Sequence, residues 1–121
     1  MATWVEVKQY IFQNFNVKSD SGNHLLINVE GGGRSQLVSV VNIENFLMYS
    51  SPFADVGQVQ PGQVLAASQI FGVALMGEYY NLRNVTLIDD LDVNELNLSI
   101  VQLAAQADEI EGKLMRGGDK F

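Results

Sequence analysis

Two adjacent serines, Ser50 and Ser51, precede Pro52 within FLMYSSPFADVGQVQPGQVLAA, Phe46 to Ala67. A serine between two apolar runs is where a hydrolase can keep its nucleophile, provided that a general base stands beside the hydroxyl. The chain has one histidine, His24, which falls in a different apolar run with no motif around it. The G-x-S-x-G turn that presents a nucleophilic serine is absent as well. No catalytic residue is assigned, and the protein is not expected to be an enzyme.

Two other groupings invite a ligand. Gly31-Gly32-Gly33-Arg34 has the glycine density of a phosphate loop. Such a loop must lead into a helix whose first amides converge on the anion, whereas an extended, β-branched run follows here, so the glycines are read as a hairpin turn. Asp89-Asp90-Leu91-Asp92 carries enough carboxylates for a hard cation but lacks the ligand spacing and glycine of a calcium loop. Its place before a helix accounts for it, because the helix dipole favours carboxylates there. The chain contains no cysteine, which removes thiolate-bound metals, disulfides and thiol nucleophiles together. Neither a metal nor a cofactor is expected.

The elements that would position any site follow from length and patterning. At 121 residues, 47% hydrophobic and 17% charged, the chain is read as one folded domain, 1–121. Fourteen acidic against seven basic residues give a net charge of −7, which opposes a polyanionic partner and excludes nucleic acid as the expected ligand. The N-terminal stretch MATWVEVKQYIFQNF lacks the pattern of a secretion signal, and no apolar run is long enough for a membrane span. A cytoplasmic protein with no membrane partner is expected. The matches to a glycosylation sequon at Asn84-Val85-Thr86 and Asn97-Leu98-Ser99 are then chance.

Thr3-Trp4-Val5-Glu6 has the form of a capping box and opens a helix whose Trp4, Val7, Ile11 and Phe15 recur at helical spacing, up to Asn16, with Val5 and Phe12 widening the stripe. Polar turn material, Lys18 to Asn23, leads to a strand with Leu25, Ile27 and Val29 on one side. A second strand follows the glycines. The third, FLMYSSPF, is ended or placed at a sheet edge by Pro52, which has no amide to donate. Pro61 starts a second helix that runs to about Phe71, and two more strands pair through a turn at Arg83-Asn84. Asp92 caps a final helix with Leu96, Ile100, Leu103, Ala107, Ile110 and Leu114 in a narrow seam, ended at Gly117-Gly118. The fold class predicted is α+β, a twisted antiparallel sheet of about five strands with helices, in the order α-βββ-α-ββ-α.

This order, together with Ser50-Ser51-Pro52-Phe53-Ala54-Asp55, Leu65 to Phe71, Leu103 to Glu111 and the terminal Gly118-Asp119-Lys120-Phe121, resembles the YbjN-like family within the type III secretion chaperone-like fold. The resemblance implies a sheet backed by helices, a homodimer, and binding of protein segments without catalysis.

The residues themselves point toward an interaction role in one respect. Val38 and Val40 share one sheet face while Leu37, Val41 and Ile43 share the other, and Leu47 and Tyr49 oppose Phe46 and Met48. Both faces are partly apolar, so either a partner or the terminal helix must cover what the other helices leave. Val38, Val40, Leu47 and Tyr49 on the sheet, with Phe12 and Phe15 on the first helix, are the candidate contact residues. The expected function is a non-enzymatic protein-interaction module, peptide-binding or chaperone-like; the alternative is a structural or regulatory homodimer with no client.

Overall fold

The computed structural model describes residues 3–31, 34–67 and 72–114. Among them the order is α1 (Trp4–Asn14), β1 (Asn16–Asp20), β2 (His24–Gly31), β3 (Arg34–Ile43), β4 (Phe46–Asp55), α2 (Pro61–Ala67), β5 (Gly72–Met76), β6 (Tyr79–Leu87) and α3 (Val93–Leu114). The six strands form one antiparallel sheet in the spatial order β1-β2-β3-β4-β6-β5. The α+β class and the antiparallel sheet are as predicted, with one strand more than expected.

The additional strand is β1, which the sequence reading places in turn material. Its five residues, NVKSD, are mostly exposed and include a single apolar side chain, Val17, so the alternation that marks a half-buried strand is missing. β1 forms because it is an edge paired to β2 on one side, not because its own side chains demand burial. α1 accordingly stops at Asn14, with Phe15 as an extended C-cap.

Two further expectations are corrected. Pro52 does not end β4, which runs on to Asp55: the ladder to β3 reaches only the Ser39–Ser50 pair, so beyond it β4 pairs with β6 alone, and that register shifts between Pro52 and Ala54. A strand end laddered on one side only, with a bulge beside the proline, tolerates the missing donor. The last hairpin turns at Gly77-Glu78 rather than at Arg83-Asn84, which lie inside β6 opposite Ser50 and Tyr49. Gly77 has φ +64°, a left-handed conformation open to glycine at little cost. α2 extends through Ala67, and the predicted continuation to Phe71 lies outside the described residues, as does the Gly117-Gly118 stop.

The helix starts follow the capping chemistry of the sequence. The Glu6 amide donates to the Thr3 hydroxyl oxygen at 3.2 Å, and that hydroxyl donates to the Glu6 carboxylate at 3.0 Å. The Asp92 carboxylate accepts from the Glu95 amide at 2.8 Å. Both caps satisfy amides that a helix cannot satisfy within itself.

One core holds these elements together. Leu25, Ile27, Val38, Val40, Leu47, Tyr49, Phe53 and Leu82 project from alternate sheet positions onto Val7 and Ile11 of α1, Val64 of α2 and Leu96, Ile100, Leu103, Ala107 and Ile110 of α3. The seam on α3 therefore faces the sheet. Since all three helices contribute to a core built from one set of alternating residues, they lie on one side of the sheet.

Candidate functional site

The opposite side of the sheet carries no described helix. Its side chains are the other alternating set, and the pairing register aligns them in rows across the strands. Ile43, Phe46 and Leu87 form one row; Val41, Met48 and Val85 form the next, with His24 at its β2 end; Leu26, Ser39, Ser50 and Arg83 form a third. Ile43, Phe46, Val85 and Leu87 are each 45% exposed or more, and Leu26, Val41 and Met48 are half-buried. The centre of this surface is apolar and contains no carboxylate. Its one formal charge in these rows, the Arg83 guanidinium, lies against the Met48 sulfur, and His24 Nε2 is 3.1 Å from the Ser39 hydroxyl.

This arrangement corrects the predicted contact face. Val38, Val40, Leu47 and Tyr49 are fully buried, packed under α3 in the core of the chain itself. The terminal helix covers that face, and a partner has no access to it. Tyr49 is held there by its hydroxyl, 2.8 Å from the Thr86 hydroxyl. Burial pushes the Tyr49 pKa up, opposed by hydrogen bonds from its neighbours. Of the helix candidates, Phe12 is 51% exposed on the solvent side of α1, while Phe15 is half-buried and meets Tyr10 edge-to-face at 6.4 Å. Neither joins the uncovered sheet face, because α1 is on the other side.

Leu37, Val41, Ile43, Phe46 and Met48, the set opposite the chosen one, prove to be the exposed surface. Both sets alternate equally well in β3 and β4, so the strands alone do not tell them apart. What tells them apart is long-range packing: α3, a 22-residue helix with an apolar seam, lies on the face of Val38, Val40, Leu47 and Tyr49. Val85 and Leu87 were missed for a different reason, since a misplaced turn at Arg83-Asn84 puts them on the wrong strand.

The serines of the opening stretch do structural work. Ser51 is fully buried and donates from its hydroxyl to the Leu37 carbonyl at 2.6 Å, while accepting from the Gln36 side-chain amide at 2.9 Å. That amide also donates to the Pro52 carbonyl. The pair thus ties β3 to β4 just past their last ladder pair, Ser39–Ser50. Beside it, a cavity of about 210 Å³ lies between the β2–β3 hairpin and α3, walled by Val29, Val101, Ala104 and Ala105. At its rim the Arg34 Nε donates to both Asp108 carboxylate oxygens, at 2.9 and 3.1 Å. Among the described residues no three His, Asp or Glu side chains converge as a metal site, and no helix is long and apolar enough to cross a membrane.

Compared with family models, with curated proteins and with solved structures, the chain finds no significant match.

Proposed function

We propose that the protein is a non-enzymatic protein-interaction module, peptide-binding or chaperone-like, whose docking surface is the uncovered face of its sheet. The observation that carries this reading is the pair of apolar rows, Ile43, Phe46 and Leu87 beside Val41, Met48 and Val85, which one side of a two-layer α+β fold leaves open to water. Depletion of charge at the centre of a patch is the compositional mark of an interface core, and here it occurs on a chain of net charge −7.

A second reading, a homodimer with no client, is favoured by the same absence of carboxylates. Two acidic subunits can meet on this face while keeping their acids outside the contact. Strands about 4.8 Å apart and about 3.3 Å of rise per residue give the four strands that carry the rows a footprint of roughly 400 Å², so two such faces would bury on the order of 800 Å², and the flanking β1 and β5 must join the contact to bring it to the lower end of stable interfaces. Packing would follow the aligned geometry of sheet sandwiches, about 10 Å between sheets.

Light scattering on the purified chain, with and without Val85→Asp, tests the reading. Val85 is 49% exposed, so the substitution spares the fold while placing a charge at the centre of the surface. A dimer that Val85→Asp dissociates supports the homodimer; a monomer that binds unfolded model substrates, and loses them with Val85→Asp, supports the client reading. A monomer that binds no polypeptide by this face defeats the proposed function.

A further inference from the structure

The two edges of the sheet are built differently. β1, at one edge, carries Lys18 and Asp20, contains a register shift between Val17 and Ser19, and is clamped by α1. The clamp comprises Lys8, whose ammonium reaches Asp20 at 3.0 Å, and Trp4, whose indole N–H donates to the Gly22 carbonyl at 2.8 Å. Charge, a bulge and a covering element are the devices by which natural sheets prevent a further strand from adding. β5, at the other edge, has none of them among the described residues. Its sequence is Gly72-Val73-Ala74-Leu75-Met76, without charge or proline, its five-residue register to β6 is regular, and its one extensive packing partner among the described elements is β6.

We infer that the free edge of β5 accepts an extended protein segment as a seventh strand, with an uncharged, alternating apolar centre and basic flanks. An edge strand leaves a row of backbone N–H and C=O groups on its outer side, and only another extended backbone matches their spacing. The side chains select the partner's centre. Gly72, Ala74 and Met76 pair with Arg83, Asn81 and Tyr79 and continue the uncovered face, whereas Val73 and Leu75 continue the helix-covered side, where Val73 packs against the core. Leu75 is 62% exposed beyond that core and would be covered by an apolar side chain of the added strand. The −7 charge of the chain, none of it on β5, favours basic residues at the ends of the segment.

A second copy is a poorer occupant of this edge. Five residues span about 17 Å, and the edge-to-edge contact of two rigid sheets along that length falls well below the roughly 1,000 Å² of a lasting interface. A flexible segment can instead follow β5 and drape its alternate side chains over both sides of the edge. This inference goes beyond the proposed function: it places an extended segment at a second site, the β5 edge, and is independent of both the uncovered face and the homodimer.

The test uses the full chain and a synthetic peptide, acetylated and amidated, with alternating valine and threonine between terminal lysines, followed by amide NMR and hydrogen exchange. Addition of the peptide is expected to slow exchange of outward β5 amides at least tenfold, and Leu75→Lys is expected to weaken binding by tenfold or more without lowering the melting temperature. The same peptide with every backbone nitrogen methylated is expected not to bind, since the ladder donors are gone. Shifts at Val41, Met48 and Val85 with unchanged β5 amides would overturn the edge site while upholding the uncovered face as the docking surface. Binding that survives N-methylation, no binding at millimolar peptide, or a β5 edge closed by self-pairing of two copies would each overturn it as well.

Discussion

Val40 and Val41 are neighbours in β3 and have the same side chain, yet one is fully buried beneath α3 and the other looks out from a sheet face that no described helix covers. The two faces of the sheet are nearly matched in apolar content. What separates them is the position of three helices, whose own stripes had only one layer to bury. Burial on this sheet is thus assigned by the long helix: α3 contributes Leu96, Ile100, Leu103 and Ile110 to one side, and no described element contributes to the other. The covered face sets stability, and the other face is left uncovered by the described helices.

Placing the same charge on the two neighbours gives the strongest contrast. Val40→Asp puts a carboxylate among fully buried apolar groups, where an unpaired charge costs several kcal/mol, enough to unfold a typical domain. Val41→Asp is expected to leave a cooperative thermal transition, lowered by about 1 kcal/mol, because the half-buried site lets water reach the charge. Circular dichroism on the two variants checks this, and equal loss of structure would show that the second face is buried too. Leu103→Ala comes next. Its side chain is fully enclosed between α3 and the sheet, and truncation is expected to cost about 2–5 kcal/mol in urea denaturation.

A smaller effect comes from the polar anchor of the covered face. Tyr49→Phe removes the hydroxyl contact to Thr86, an expected loss of about 1 kcal/mol at neutral pH. The folded pKa of Tyr49 is raised by burial above its ordinary value near 10. The unfolded state therefore ionises first, and the wild type keeps this contribution below about pH 10 and loses it as pH rises toward the folded pKa. In urea titrations the Phe variant should fall less steeply in the alkaline range. Parallel alkaline limbs would remove Tyr49 as a cause.

Much of the fold was legible because it is written locally. Thr3 with Glu6, and Asp92 with Glu95, mark helix starts, and the 4-3-4-3-4 spacing from Leu96 to Leu114 marks a long one-sided helix. The misses share a physical origin. β1 is a strand through pairing rather than through its side chains, and Pro52 is tolerated inside β4 because the β3 ladder has ended at Ser50 and a bulge adjoins the proline on the β6 side. Met76-Gly77-Glu78 turns where glycine permits positive φ, while the more polar Arg83-Asn84 remains extended between β4 and β5. The contact surface was the least legible part. Alternation revealed two apolar faces, but the choice between Val38, Val40, Leu47 and Tyr49 and their opposites depends on long-range packing by α3.

The weakest expected effect concerns how the helix layer is fastened at the guarded edge. Asp20 accepts from the Gly22 amide at 2.8 Å and pairs with Lys8 of α1, and these bonds, the backbone one first, hold its carboxyl below the ordinary carboxylate range. The folded pKa is depressed relative to the unfolded one, so the contribution is present above about pH 4 and lost as pH falls through the folded value. Asp20→Asn keeps an oxygen for the Gly22 amide but drops the charge facing Lys8. The pair is solvent-exposed and α1 is already anchored by the buried Val7 and Ile11, so the change at pH 7 should be far smaller than that of Leu103→Ala. Urea midpoints of the two proteins should differ slightly at neutral pH and converge in acid, while exchange of β1 amides quickens. A gap that persists undiminished to pH 2 would mean that Asp20 acts by shape rather than charge, and a gap as large as that of Leu103→Ala would mean that surface bonds, not the shared core, hold α1 to the covered face.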